Sequence, residues 1–306
     1  MKQTRQQVRI FVRNATVLDC ALWDSNYGPR GQSWQVDVEW HGHTDEEGVI
    51  VDFSLAKKTA KDLIDRLYDH RLFIAETSVF KTDNNSVICC PPAQLSNDNC
   101  FLIETYQESL SLLPEDTMLA LSNGDTQLLE SIIASEIKKN SPQNIQEIRV
   151  KLKPHENCTQ PIHFNYLHSL RLHNGNCQRF HGHSNIIEVF EGGQFRPSAA
   201  ADVAATLDGK YLVAENYLCA SSTKASWQFF KFQEQCKLTP ETHALIEYQG
   251  TQGAVTLLVP KQRLVLMPDE STIENISHWI FEHFFSQMSQ VQVYGYEGLH
   301  KGAIYP

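Results

Sequence analysis

The 306-residue sequence lacks the features that mark nucleic-acid-binding, secreted and membrane proteins. Lysine and arginine number 26 against 36 aspartates and glutamates, so the basic surface that nucleic acids require is missing. No apolar run approaches the roughly 20 residues that cross a bilayer. The first residues, MKQTRQQVRIFVRN, contain no continuous apolar stretch, so we expect neither a signal peptide nor a membrane anchor. These absences predict a cytoplasmic protein that binds neither nucleic acid nor membrane.

The sequence also lacks a regular cysteine framework. Its eight cysteines are scattered along the chain without recurring spacing, which favours reduced thiols over disulfides. The apolar content of 42% and charged content of 20% are ordinary for a globular protein. The length suits two domains of about 150 residues each.

What the sequence does contain is an internal repeat. Four stretches recur in the same order: 30–42 over 181–193, 67–76 over 206–215, 102–104 over 245–247, and a closing helix and strand (126–137 with 148–152, 272–285 with 291–296). In the first of these, Gly31 matches Gly182 and Ser33 matches Ser184. Order-preserving matches indicate a tandem duplication. We predict domains over 1–155 and 156–306, with the boundary in the polar stretch 154–162.

The patterns inside each half predict an α+β fold with antiparallel sheets. Alternating apolar and polar positions indicate half-buried strands. A helix is predicted over 54–67, with Asp52 or Ser54 as N-cap and Leu55, Thr59, Leu63 and Leu67 along one face. A second is predicted over 272–285, with Ser271 as cap, Glu274 completing a capping box, and a buried stripe of Ile273, Ile276, Ile280 and Phe284.

Residues 164–183 hold the densest set of reactive side chains. His181 and His183 are two apart on a predicted strand, so both imidazoles point to one face. His168 can supply a third nitrogen from the preceding strand, with His173 a weaker substitute. Three histidines with an open fourth position are typical of a catalytic zinc site. Cys177 either closes that site as a fourth ligand or stands beside it as an acid–base group.

The first half contains a second HGH sequence. His41 and His43 align with Gly192 and the loop beyond it, not with the histidine-rich strand. We therefore expect both to be solvent-exposed residues of a hairpin turn.

Together these motifs resemble the 6-pyruvoyltetrahydropterin synthase family, which includes the bacterial 6-carboxytetrahydropterin synthases. The resemblance runs along nearly the whole of both halves. By it, the zinc ligands are His168, His181 and His183, and Cys177 is the catalytic cysteine. Thr272, Glu274 and Asn275 match the helix start beside the pterin pocket, and Glu297 matches the late glutamate that anchors the pterin ring.

The two halves complement each other against this family pattern. The second half has Asp208-Gly209 where the family has Asp-His, whereas the first half has Asp69-His70. The first half in turn has Ala15, Arg30 and Gln32 at the zinc positions, and Pro154 or Lys153 at the late glutamate. In this family the Asp-His pair reaches the cysteine of a neighbouring subunit. The resemblance therefore implies one complete site per chain, with Asp69 and His70 as proton relay, assembled within one chain or between two.

The resemblance also implies architecture, cofactor and substrate. It implies two tandem tunnelling-fold (T-fold) domains, whose sheets form a barrel on oligomerisation with the helices outside, and a homotrimer of tandem chains. The cofactor is Zn²⁺ and the substrate 7,8-dihydroneopterin triphosphate, a small-molecule pterin triphosphate. Candidate triphosphate-binding residues are Arg71, Arg171, Arg179, Lys210 and Lys301, among which spacing does not choose.

Two products remain open at this point. One is 6-pyruvoyltetrahydropterin, and the other is 6-carboxytetrahydropterin, formed with release of acetaldehyde on the way to queuosine-type deazapurines. We favour the carboxy product only because tandem members are expected more often among bacteria. The alternatives to a lyase are a non-catalytic zinc- or pterin-binding protein with Cys177 as a metal ligand, and an assembly subunit with a vestigial site.

Overall fold

The structure is a computed structural model that describes residues 6–24, 26–83, 85–89, 99–154 and 162–306. Most of the predicted boundary, 154–162, lies outside these ranges, so the domain limits stay a prediction. The six cysteines among the described residues are free thiols, and Cys90 and Cys158 lie outside these ranges. None of the described helices is long and apolar enough to cross a membrane.

Both halves are built from strands and helices in alternation. The first half comprises β1 (Gln7–Asp24), β2 (Gly28–His43), α1 (Phe53–Leu67), β3 (Arg71–Ala75), β4 (Val79–Lys81), β5 (Ser86–Cys89), β6 (Leu102–Tyr106), β7 (Leu110–Leu113), α2 (Glu115–Ser122), α3 (Gln127–Lys139) and β8 (Ile145–Lys153). The second half comprises β9 (His163–His168), β10 (His181–Glu191), β11 (Gln194–Phe195), α4 (Pro197–Leu207), β12 (Lys210–Ala214), α5 (Trp227–Gln235), β13 (His243–Gln249), β14 (Ala254–Pro260), β15 (Leu264–Met267), α6 (Ile273–Phe284), β16 (Val291–Tyr296) and β17 (Gly302–Tyr305).

The two large sheets have the same topology. The first is ordered β7-β3-β1-β2-β8 and the second β15-β12-β9-β10-β16, extended by β17 and β11. Equivalent neighbours run in the same sense: the β1–β2 and β9–β10 pairs are antiparallel, whereas β1–β3 and β9–β12 are parallel. The equivalent helices α1 and α4 precede the parallel strands β3 and β12. The duplication inferred from the sequence is therefore a duplication of fold.

A third sheet is shared by both halves. Its order is β13-β14-β6-β5-β4, with β6 and β14 antiparallel at the centre. Each central strand leads through one turn of 3-10 helix into a parallel strand, β7 or β15. The counterpart of β6 is therefore β14, and the predicted match of 102–104 with 245–247 is wrong, because 245–247 lies on β13. Short apolar strands resemble one another too closely for sequence to choose between neighbours.

The two large sheets meet where equivalent glycines touch. A Cβ on Gly182 would lie 2.7 Å from the Cα of Gly31, and a Cβ on Gly31 would lie 2.5 Å from the amide nitrogen of His183. Only glycine permits backbones to approach this closely. Two residues on, the amide of Ser184 donates to Oγ of Ser33 at 3.1 Å. Contact between equivalent residues places a pseudo-twofold axis at this crossing.

Both predicted helices are present, and their ends lie within one residue of the predicted bounds. Asp52 caps α1, its Oδ1 accepting from the Leu55 amide at 2.9 Å, as one of the two predicted caps. The buried face of α1 is, however, Ala56, Ala60, Leu63 and Ile64, and Leu55 is exposed. The cap of α6 is Thr272 rather than Ser271, so Glu274 sits at the second helical position and forms no capping box. The predicted stripe of α6 packs into the core of the second half.

The expectation for His41 and His43 is wrong. Both lie on β2 and not in a turn, and His41 is buried with 6% of its surface exposed. Its imidazole lies 3.5 Å from the carboxylates of both Glu39 and Glu147. The cause is β8, which pairs with the far end of β2 and covers this segment.

Candidate active site

Three histidines of β9 and β10 converge on one point. In the antiparallel register His168 faces His181, so His183 follows on the same side of the sheet two residues later. Nε2 of His168 lies 2.9 Å from Nε2 of His181 and 3.0 Å from Nε2 of His183. All three residues have no exposed surface.

The opposite ring nitrogens face acceptors. Nδ1 of His168 bonds to the Ser271 carbonyl at 3.0 Å, and Nδ1 of His181 bonds to the Arg179 carbonyl at 2.8 Å. Nδ1 of His183 makes no hydrogen bond of good geometry among the described residues, but it lies 3.2 Å from Oδ1 of Asp19. With protons on Nδ1, the three Nε2 lone pairs are directed at one another, an arrangement that metal ligands adopt.

The spacing and protonation of this group fit zinc. Nitrogen ligands at about 2.0–2.1 Å from a tetrahedral zinc lie about 3.3 Å apart, close to the separations of 2.9 and 3.0 Å found here. Burial, and then the neighbouring histidines, hold the pKa of both His168 and His181 well below the ordinary value. Both rings are therefore in the neutral form that binds metal.

Asp69 and His70 of the first half reach the same place within one chain. Oδ2 of Asp69 lies 2.6 Å from Nδ1 of His70, and the His70 ring lies 4.6 Å from that of His181, centroid to centroid. His70 adopts φ +54°. A non-glycine residue in this region is uncommon, and such residues cluster at functional sites.

The second half confirms that position 70 demands a left-handed backbone. The equivalent residue, Gly209, has φ +69°, and its amide donates to the Asn165 carbonyl at 2.7 Å. The amide of His70 donates to the Asp19 carbonyl at the same distance. Where the second half has no histidine at this position the chain uses glycine, as expected when no side chain is needed at a strained position.

Cys177 lies beside His70. Its sulfur and ring nitrogens of His70 and His181 lie within 4.8 Å of one another, but the sulfur does not join the three-histidine group at that limit. Burial lowers the pKa of His70, but hydrogen bonds to Asp69 and Cys177 outweigh it and raise that pKa well above the ordinary value. His70 is therefore an imidazolium at neutral pH, and its positive charge stands next to the cysteine sulfur.

Sequence reasoning missed Asp19. Burial alone would raise its pKa, but His183, His70 and Ser33 lower it to about 2. The available signal was a single charged residue inside the apolar run VLDCALW of β1.

Sequence reasoning also missed Tyr166. It is fully buried between His168 and His183, and its hydroxyl has no hydrogen-bond partner among the described residues.

The remaining predicted residues lie at different distances from this centre. Oε1 of Glu297 lies 3.9 Å from Nε2 of His183, and its Oε2 lies 3.5 Å from Nζ of Lys301. The start of α6 meets the histidines through Ser271, whereas Thr272 caps the helix and Glu274 is exposed on the first turn. No hydrogen bond or ion pair joins Thr272 or Glu274 to the three histidines in the described part of the chain.

Comparison with known proteins decides the family. The profile described as 6-pyruvoyl tetrahydropterin synthase matches the chain twice, over residues 23–163 and 157–305. The chain belongs to this family. A search of curated proteins gave no match.

Solved structures from the same family were found. The 6-pyruvoyl tetrahydropterin synthase of Plasmodium vivax is 14% identical, with a TM-score of 0.33, and covers 47% of this chain and 90% of its own. The enzyme of Plasmodium falciparum is 16% identical, with a TM-score of 0.31, and covers 48% and 90%. Because the family profile matches twice and both halves have the same sheet topology, the chain carries two pterin-synthase T-fold domains of the α+β class.

The equivalent position of the first half contains no histidines. Strand register gives Leu22, Arg30 and Gln32 as the counterparts of His168, His181 and His183, so Leu22 and not Ala15 is the counterpart of His168. The late glutamate position is Pro154 by the same register. Arg263 fills this region: its guanidinium donates to the carbonyls of Tyr27 at 2.8 Å and Pro29 at 2.9 Å, and lies against Gly209.

Proposed function

We propose that this chain is a zinc-dependent pterin synthase of the lyase type that acts on 7,8-dihydroneopterin triphosphate. The observation that carries the proposal is the meeting of Asp69 and His70 from one half with Cys177 and three converging histidines from the other. Neither half has the full set alone. Our first choice of product is 6-carboxytetrahydropterin, and the second is 6-pyruvoyltetrahydropterin.

His168, His181 and His183 would hold the ion through Nε2. Zinc bound there supplies Lewis-acid chemistry, lowering the pKa of the side-chain hydroxyls of the substrate. With three protein ligands, an ion held there would have a coordination position left for those hydroxyls.

Proton transfer falls to Cys177 and His70. Cys177 serves as general base toward a carbon of the substrate side chain, and His70 exchanges a proton with the sulfur or the substrate oxygen. Asp69 holds the His70 ring through Nδ1, so Nε2 is the atom that moves the proton. The left-handed backbone at His70 fixes the ring in this position.

Glu297 is proposed to accept two hydrogen bonds from the aminopyrimidine edge of the pterin. The buried Tyr166 hydroxyl and Nδ2 of Asn185 have no partner among the described residues and are available to the same ligand.

Of the five cations considered for the triphosphate, Lys301 reaches the site, whereas Lys210 bonds to the Gln262 carbonyl beside Gly209. Since its partner Glu297 is the proposed anchor of the pterin ring, Lys301 lies at the pterin end of the site, and the phosphates are left to Arg71, Arg171 and Arg179.

The second candidate is a zinc- or pterin-binding protein in which Cys177 closes the metal site. A thiolate ligand of tetrahedral zinc lies about 3.5 Å from each nitrogen ligand. Cys177 does not join the three histidines within 4.8 Å, which favours the base over the ligand. The homotrimer and the cytoplasmic location expected from the sequence remain predictions.

The direct test is incubation of the zinc-loaded protein with 7,8-dihydroneopterin triphosphate and mass analysis of the pterins. We expect a new pterin with release of triphosphate, and acetaldehyde in the same sample identifies the carboxy product. Unchanged substrate with zinc bound would contradict the proposal and favour the binding protein. A Cys177→Ala chain with the same zinc content is the matched control.

A further inference from the structure

Asp19 belongs to the half that has lost its zinc ligands, yet it lies against the zinc ligands of the other half. Its side chain is 3% exposed, and Oδ1 lies 3.2 Å from Nδ1 of His183. The same oxygen accepts from Oγ of Ser33 at 2.5 Å. A Cβ on Gly298 would lie 2.5 Å from this oxygen, so the chain leaves space here for the carboxylate.

The main chain of Asp19 holds the relay pair. Its amide donates to Oδ1 of Asp69 at 2.9 Å, and its carbonyl accepts from the amide of His70 at 2.7 Å. One residue thus contacts a metal-binding histidine through its side chain and both relay residues through its backbone.

The second half shows what this position contains when no histidine faces it. The equivalent residue is Asn165, which keeps the backbone contacts by donating to Asp208 at 2.9 Å and accepting from Gly209 at 2.7 Å. Its Nδ2 also donates to Oδ1 of Asp208 at 2.7 Å. The backbone arrangement is therefore common to both halves, whereas the carboxylate occurs only beside His183.

We propose that Asp19 is a positioning residue of the zinc centre, supplied by the first half. Its carboxylate fixes the Nδ1–H tautomer and the ring orientation of His183, so that Nε2 faces the metal. His168 and His181 are held by backbone carbonyls instead, which makes His183 the ligand that depends on a side chain from the other half. The inference rests on the zinc site of the proposed function.

The test measures zinc affinity rather than turnover. We expect Asp19→Asn to bind zinc about 10–100-fold more weakly in competition with a chromophoric chelator, the usual effect of removing an outer carboxylate. The cobalt-substituted variant should show an altered visible absorption spectrum, because the His183 ring is no longer held in place. Asp37→Asn is the matched control: Asp37 is 1% exposed in the same half and pairs with Arg13 and Lys153 at 3.4 Å, away from the histidines.

A second variant keeps the test decisive if Asp19→Asn does not fold. Ser33→Ala retains the carboxylate but removes its hydroxyl donor, and we expect a smaller loss of zinc affinity; circular dichroism of the metal-free proteins reports folding. Unchanged affinity and cobalt spectrum in the folded variants, or an equal loss in Asp37→Asn, would overturn the role of Asp19. An unsubstituted protein that binds no zinc would instead overturn the proposed function itself.

Discussion

The amide of Ser184 donates a hydrogen bond to Oγ of Ser33, its equivalent in the other half, at 3.1 Å. Residues related by a twofold axis contact each other only beside that axis, so the two repeats face each other as two subunits would. This arrangement brings Asp69 and His70 of one repeat to Cys177 of the other. Of the two arrangements left open by the sequence, we therefore expect the one in which the pair meets the cysteine within one chain.

The first prediction concerns complementation between chains. Because both parts of the site come from one chain, a Cys177→Ala chain mixed with a His70→Ala chain should stay as inactive as either variant alone. The measurement is pterin formation after co-expression of the two variants, which allows assembly during folding.

The unsubstituted chain co-expressed with either variant serves as the positive control and should retain activity. Recovery of a substantial fraction of wild-type turnover in the mixture would show that the site forms between chains.

The second prediction separates the base from the metal ligand. Cys177→Ala should lower kcat by about 10²–10⁴-fold, the usual contribution of a general base, and leave the zinc content unchanged. His181→Ala should lose both zinc and turnover, because it removes one of three ligands. The zinc content of each variant is measured by mass spectrometry, and its turnover is measured on the same preparation. Loss of zinc from Cys177→Ala would support the binding protein instead.

Much of this site could be predicted from local sequence, because alternation along a strand places His181 and His183 on one face. The N-cap at Asp52 was likewise predictable, since a cap depends on the next three residues. Asp19 was not, because its importance arises from a partner more than 160 positions away. The burial of His41 was missed for the same reason: β8 covers it, and pairing between distant strands leaves no local pattern.

The third prediction uses the raised pKa of His70. A histidine whose pKa is higher in the folded state stabilises that state fully below its ordinary pKa, 6.5, and this stabilisation disappears as pH rises through the folded value. In zinc-free protein, the loss of unfolding free energy on His70→Asn should therefore be larger near pH 6 than near pH 9. Urea denaturation at both pH values measures it.

Asparagine is the appropriate substitution because it tolerates the left-handed backbone that His70 adopts. His278→Asn, at an exposed position of α6, is the control for loss of a histidine elsewhere in the chain. An effect of His70→Asn that grows toward pH 9 would mean that His70 is neutral in the folded protein.

The last prediction concerns the half that has lost its ligands. With Leu22, Arg30 and Gln32 in place of histidines and Arg263 bonded across the region, we expect one zinc per chain and not two. Arg263→Ala should leave this stoichiometry unchanged but lower the free energy of unfolding by about 1–3 kcal/mol, because the partly buried carbonyls of Pro29 and Gly209 lose their donor. Arg196→Ala, which removes an exposed pair with Glu191, should change it by about 0.5 kcal/mol or less. A second zinc per chain, measured by metal analysis, would show that the other half still binds metal.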